Sequence, residues 1–233
     1  MLGLLFCSAL LTFLSARQPA PQEAVVPAGV KPAFPLPIRG SAVRSKVVEL
    51  MGMDGIPPKD IPFSLGETKR TEDGLLMTPV EFANSLGETV PGILTLPAAA
   101  GAVSLAGIVC MPGTHGDAGR LTQERFYRED PDKGPLLGWA RELSRRGFAT
   151  LSITLKGTLA RRRTLGEWET EAKLLAPYGR PQMGILAEEA LRAARVLAAQ
   201  EQVEPSRIGL TGFSLGSYAS WWAMACDPSI RTA

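Results

Sequence analysis

The sequence predicts an α/β architecture: a mostly parallel sheet with helices on both faces. Three observations carry this. From Val103 onward, apolar runs of strand length alternate with longer amphipathic stretches. Ahead of them, two segments of alternating apolar and polar residues flank Asn84-Ser85-Leu86-Gly87, a β-hairpin signal. Near the end, a short apolar strand runs through Gly212-Phe213-Ser214-Leu215-Gly216 into an apolar helix. Strands separated by helices imply parallel pairing through right-handed crossovers, and such a sheet needs cover on both faces.

The first apolar run, Met1 to about Ser15, is too short to span a membrane comfortably and leads into polar, proline-rich chain. It fits a secretory signal peptide over 1–20 and a secreted or periplasmic location, with no stable membrane span once removed. No basic residue precedes the apolar core and no clean A-x-A cleavage site follows. A mis-called start or a short membrane anchor is therefore the alternative. Residues 21–70 read as a linker and an irregular region, rich in Pro and Gly, with at most one short helix around Val47–Met51. The α/β domain is expected over 71–233.

Within it, Leu75–Ala83 and Thr89–Leu96 form the hairpin, and Val103–Met111 is a buried strand. Pro135–Arg146 reads as a helix with Leu136, Leu137, Ala140 and Leu143 inward and Arg141, Glu142, Arg145 and Arg146 outward. Phe148–Leu155 is the next strand. Pro181–Gln200 is a longer helix, with Glu188 and Arg192 paired on its outer face. Ser206–Thr211 is a strand, and Tyr218–Ala225 a helix whose Trp221 and Trp222 are expected in the core. The insertions Gly119–Lys133 and Lys156–Tyr178 lie on the side of the strand ends where such sheets bind ligands.

Composition excludes several classes. A formal charge of +2 gives no broad electrostatic case for nucleic acid or an anionic membrane. Arg161-Arg162-Arg163 reads as a solvated loop. A single histidine, His115, and three scattered cysteines assemble no metal cluster, and nothing supports a cofactor. Cys7 goes with the leader; Cys110 and Cys226 are expected as buried free thiols.

The chemistry-bearing motif is Gly212-x-Ser214-x-Gly216 between strand and helix, the pattern of a nucleophile elbow. A serine hydroxyl attacks only when a base takes its proton and donors await the oxyanion. Ser214 is the candidate nucleophile. Gly212 and Gly216 leave room for the tight bend, and small Ser217 continues that allowance. The Leu215 amide, at the start of a helix, faces the oxyanion and gains from the helix dipole. A second donor is sought in Pro112-Gly113-Thr114-His115-Gly116-Asp117, the glycine-bearing loop after the first parallel strand.

With these two motifs in place, the chain from about Leu75 onward resembles the α/β-hydrolase superfamily. Within it, the similarity is to the dienelactone hydrolase and acetyl xylan esterase-like group. The resemblance implies hydrolysis of a carboxylic ester of a small molecule or an acylated carbohydrate, by a serine, a histidine and an acid. It also implies a second oxyanion donor at Asp117, with Gly116 beside it. His115 matches a loop-forming position of that fold, so it is expected to shape the oxyanion loop rather than act as the base. In this fold the order is nucleophile, acid, histidine. After Ser214 the only acid is Asp227, beyond the far end of the helix. The sequence therefore reads as an N-terminal portion of a longer hydrolase, with the sheet incomplete at its C-terminus and histidine and acid missing. The alternatives are a non-catalytic binding protein on a hydrolase fold and a prolyl-oligopeptidase-like peptidase.

Overall fold

Helix α1 (Ser41–Leu50) opens the described part of the chain, followed by β1 (Phe63–Leu65) and β2 (Lys69–Arg70). Both strands pair antiparallel with β3 (Leu75–Ala83). This corrects the reading of the stretch before residue 71 as irregular. Runs of three and two residues carry no periodicity of their own, and the free edge of β3 orders them. A computed structural model describes residues 40–97, 104–128, 136–158, 161, 168–230, 232 and 233. All of them lie in one unit, Arg39–Ala233. The leader expected over 1–20 and the linker expected up to residue 38 fall outside the described residues.

The hairpin forms as its pattern requires. β3 and β4 (Thr89–Pro97) pair from Leu75↔Pro97 to Ala83↔Thr89, and alternate residues such as Val80 and Phe82 turn into the core. Next come β5 (Leu105–Met111), α2 (Ala118–Leu121), and the short antiparallel pair β6 (Tyr127–Arg128) and β7 (Leu136–Leu137). Helix α3 (Trp139–Arg145) starts later than Pro135, because Leu136 and Leu137 are taken up in β7. Gly138, at φ 70°, then turns the chain against the Arg125 carbonyl, where a side chain would collide. β8 (Ala149–Ile153), α4 (Trp168–Leu175), α5 (Gln182–Ala198), β9 (Val203–Gly212) and α6 (Leu215–Cys226) complete the order.

The main sheet runs β1-β3-β4-β8-β5-β9, with β2 also on β3. It is mixed: parallel from β8 through β5 to β9, antiparallel from β8 back to β1. Helices cover both faces. Val109, Met111, Leu151 and Ile153 pack with Leu186, Leu191 and Ala219 of α5 and α6. Cys110 and Ile108 meet Leu121 and Ala140 of α2 and α3 on the other side. Burial of each such leucine or isoleucine stabilises the fold by about 1.5–3 kcal/mol.

Arg141, read as solvent-facing, is buried, because Asp73 in the β2–β3 turn draws it in through Nε at 3.0 Å and Nη2 at 2.6 Å. The Arg141 guanidinium holds the Asp73 carboxyl well below the usual carboxylate range. Cys110 and Cys226 are buried free thiols, and burial pushes the Cys110 thiol up. Trp221 and Trp222 are not core residues: they are 59% and 36% exposed. No described helix is long and apolar enough to cross a membrane.

Candidate active site

β9 lies beside β5, with Gly212 opposite Met111 at the carboxyl ends of both strands. One residue on, the Phe213 amide donates to the Met111 carbonyl at 3.1 Å, and the chain reverses into α6. The reversal places Ser214 at φ 51°, ψ −113°. Among the described residues it is the only non-glycine with positive φ. Such a conformation costs about 1–3 kcal/mol and persists only where its surroundings enforce it. Here two close approaches enforce it. A Cβ on Gly212 would strike the Gly216 backbone, and one on Gly216 would strike the Met111 and Pro112 carbonyls.

The elbow leaves Ser214 exposed at the end of the sheet, and its hydroxyl makes no hydrogen bond among the described residues. Its carbonyl is occupied by the Ser217 hydroxyl at 2.6 Å and the Ser217 amide at 2.9 Å. The Gly216 and Tyr218 amides turn back to the Phe213 and Ser214 carbonyls. That of Leu215 makes no hydrogen bond among the described residues, so a donor at a helix start stands free beside the serine.

The loop after β5 curls against this bend. A Cβ added to Gly113 would sit 3.4 Å from the Ser214 Cβ and 3.2 Å from the Phe213 ring. The Gly116 amide closes the curl onto the Gly113 carbonyl at 3.0 Å, which takes it out of the pool of free donors. Pro112 leaves no space for a side chain at Gly116. Asp117 caps α2 by accepting from the Arg120 amide at 2.9 Å, and its own amide makes no hydrogen bond among the described residues. His115 lies exposed in the same loop, with no hydrogen bond or ion pair among the described residues. Asp227 is buried at the far end of the 12-residue α6, paired with Arg195 of α5 and accepting from the Ser229 amide.

One residue here escaped the sequence reading. Thr154, just past β8, accepts the Ala118 amide at 3.1 Å and so ties down the loop that carries Asp117. A threonine at a strand end has no distinguishing pattern; only the neighbouring strand order reveals it. Arg161, read as solvated, is another correction. Its Nη1 lies 2.8 Å from both carboxylate oxygens of Glu189, a wholly buried residue of α5. Arg162 and Arg163 lie outside the described residues.

No family model matches the chain. Over 91 residues it is 32% identical to YtaP of Bacillus subtilis (strain 168), a protein assigned as a hydrolase; the match covers 39% of this chain and 29% of that one. A Bacteroides fragilis NCTC 9343 structure assigned as an acetyl xylan esterase superposes with a TM-score of 0.66 at 20% identity, over 81% of this chain and 50% of that one. The acetyl xylan esterase from Paenibacillus sp. R4 gives 0.55 at 18%, over 86% and 59%. A glucuronoyl esterase from Solibacter usitatus gives 0.54 at 15%, over 80% and 55%. The chain has the α/β-hydrolase fold, and it spans about half the length of these solved structures.

Proposed function

We propose that this chain carries the nucleophile and oxyanion cradle of a serine esterase acting on a carboxylic ester of a small molecule or carbohydrate. The observation that carries this reading is the strained, exposed Ser214 at the bend between β9 and α6. Strained positive-φ residues of this kind cluster at active sites, and a serine raised on such a bend between two glycines is the geometry of a nucleophile elbow. The esterase names of the structural neighbours support the reaction class. The apolar leader favours export from the cytoplasm.

In the proposed reaction the Ser214 hydroxyl oxygen bonds to the acyl carbon while a base takes its proton. The carbonyl π electrons move to oxygen, and the Leu215 and Asp117 amides donate to that oxyanion. Collapse of the tetrahedral intermediate breaks the ester C–O bond, and the alcohol leaves with the proton. Water then repeats the sequence on the acyl-serine, releasing the acid. Gly116 shapes the loop and His115 sits on it. Among the described residues His115 makes no hydrogen bond to Ser214 and Asp227 is committed to Arg195 about 18 Å along the helix, so neither fills the base or acid role in this arrangement.

The test is covalent labelling of the gene product that contains this chain with a fluorophosphonate, read by intact mass and peptide mapping. One adduct on Ser214, lost in Ser214→Ala, is expected. Labelling that survives the substitution would remove Ser214 from the mechanism. No labelling at all would favour the second reading, a binding protein on a hydrolase fold, which the lack of a base beside Ser214 among the described residues also suits.

A further inference from the structure

Thr154 is buried, and each polar group it carries is engaged. Its amide donates to the Pro91 carbonyl on β4 at 2.9 Å, and its carbonyl accepts from Arg161 Nη1 at 2.9 Å. Its hydroxyl accepts from the Ala118 amide at 3.1 Å. That last bond fixes the peptide next to the one whose N–H is proposed to meet the oxyanion.

Arg161 is itself anchored. Glu189 receives Arg161 Nη1 at 2.8 Å on each oxygen, Asn84 Nδ2 at 2.9 Å and the Lys156 amide at 3.1 Å. Lys156 Nζ bonds both oxygens of Glu88 at 2.7 and 2.8 Å. Complete burial pushes the Glu189 carboxyl up from the usual glutamate range, and Arg161 chiefly opposes this. A buried network of this kind is rigid while every member is satisfied and yields when one is removed. It joins the hairpin turn, the loop after β8 and helix α5, and the Thr154 hydroxyl extends it to the loop after β5.

We propose that Thr154 is a positioning residue for the oxyanion cradle, held by Arg161 paired with the buried Glu189 and holding the Asp117 amide toward Ser214. This rests on the esterase reading of Ser214. An oxyanion donor contributes about 10²–10³ in kcat, and a displacement of about 1 Å costs about 10²-fold. A loosened donor is therefore expected to show in kcat rather than in KM.

The experiment compares Thr154→Val, Thr154→Ser and Thr150→Val in the gene product that contains this chain. Thr150 is an equally buried hydroxyl of β8, bonded instead to Ser144 of α3 at 2.8 Å. Ester hydrolysis is measured as kcat and KM, and exchange of the Ala118 amide by NMR. Thr154→Val should lower kcat about 10–100-fold, leave KM within about twofold, and speed Ala118 exchange. Thr154→Ser should restore both readouts, and Thr150→Val should leave kcat at the parent value. Unchanged Ala118 exchange in Thr154→Val overturns the proposal whatever the activity. An equal loss of kcat in Thr150→Val also overturns it, because the effect is then general destabilisation. If the parent hydrolyses no ester in a Ser214-dependent way, the esterase reading itself fails, recognisable because Ser214→Ala matches the parent, and the role of Thr154 falls with it.

Discussion

Helices α5 and α6 lie side by side on one face of the sheet, yet they meet solvent in opposite ways. In α5 each residue from Gly184 to Leu191 is buried, including Glu188 and Glu189. In α6, which carries no charged residue, Tyr218, Trp221, Trp222 and Met224 are exposed. After Leu215, the inward side of α6 is small: Gly216, Ala219, Ser220, Ala223 and Cys226. That follows from the elbow. Gly216 rides against the Met111 and Pro112 carbonyls, so the helix passes them too closely for a side chain at that position. The aromatics take the outward side. α5 is enclosed because other elements reach over it: Met51 crosses at Gly184, and the hairpin turn and the loop after β8 bond to Glu188 and Glu189. Burial is decided by neighbours rather than by the hydrophobicity of the segment.

Five substitutions test this contrast, each read by urea denaturation. Glu189→Ala leaves the part-buried Arg161 with only its longer ionic contact to Glu88 and empties the core position of a wholly buried side chain, and should cost about 3–5 kcal/mol. A midpoint that does not move would show the α5 network to be ornamental. Leu191→Ala, also on α5, should cost about 3 kcal/mol through its cavity. A loss below about 1 kcal/mol there would mean α5 collapses easily and is less enclosed than it looks. Asp227→Asn weakens the Arg195 pair that joins the two helices, with an expected loss of about 2 kcal/mol; a neutral result would uncouple them. Ser214→Gly relieves the left-handed strain and should gain about 1 kcal/mol while abolishing Ser214-dependent chemistry. If it destabilises instead, the bend is not strained. Trp221→Ser should change stability by no more than about 0.5 kcal/mol, and a cost of several kcal/mol would mean that the outer face of α6 is covered in solution.

Much of this was legible along the chain. The hairpin was marked by strict alternation and a glycine-bearing turn, so Leu75–Ala83 and Thr89–Pro97 emerged nearly as read. The elbow was marked because its geometry admits few residue types. Other features left no local trace. β1 and β2 are too short to have a pattern and exist because β3 offers an edge. Arg141 and Arg161 look like surface charges until Asp73 and Glu189, each distant in sequence, close on them.

The alternation of strands and helices, the hairpin, and the serine set between two glycines follow from the local chain, because periodicity and steric tolerance act over a few residues. Long-range packing settled which side of α6 meets solvent, which arginines are drawn inward onto carboxylates, and that Thr154 ties down the loop facing Ser214. Those outcomes depend on the strand order, which brings β8 beside both β4 and β5, and on contacts between residues far apart in the chain.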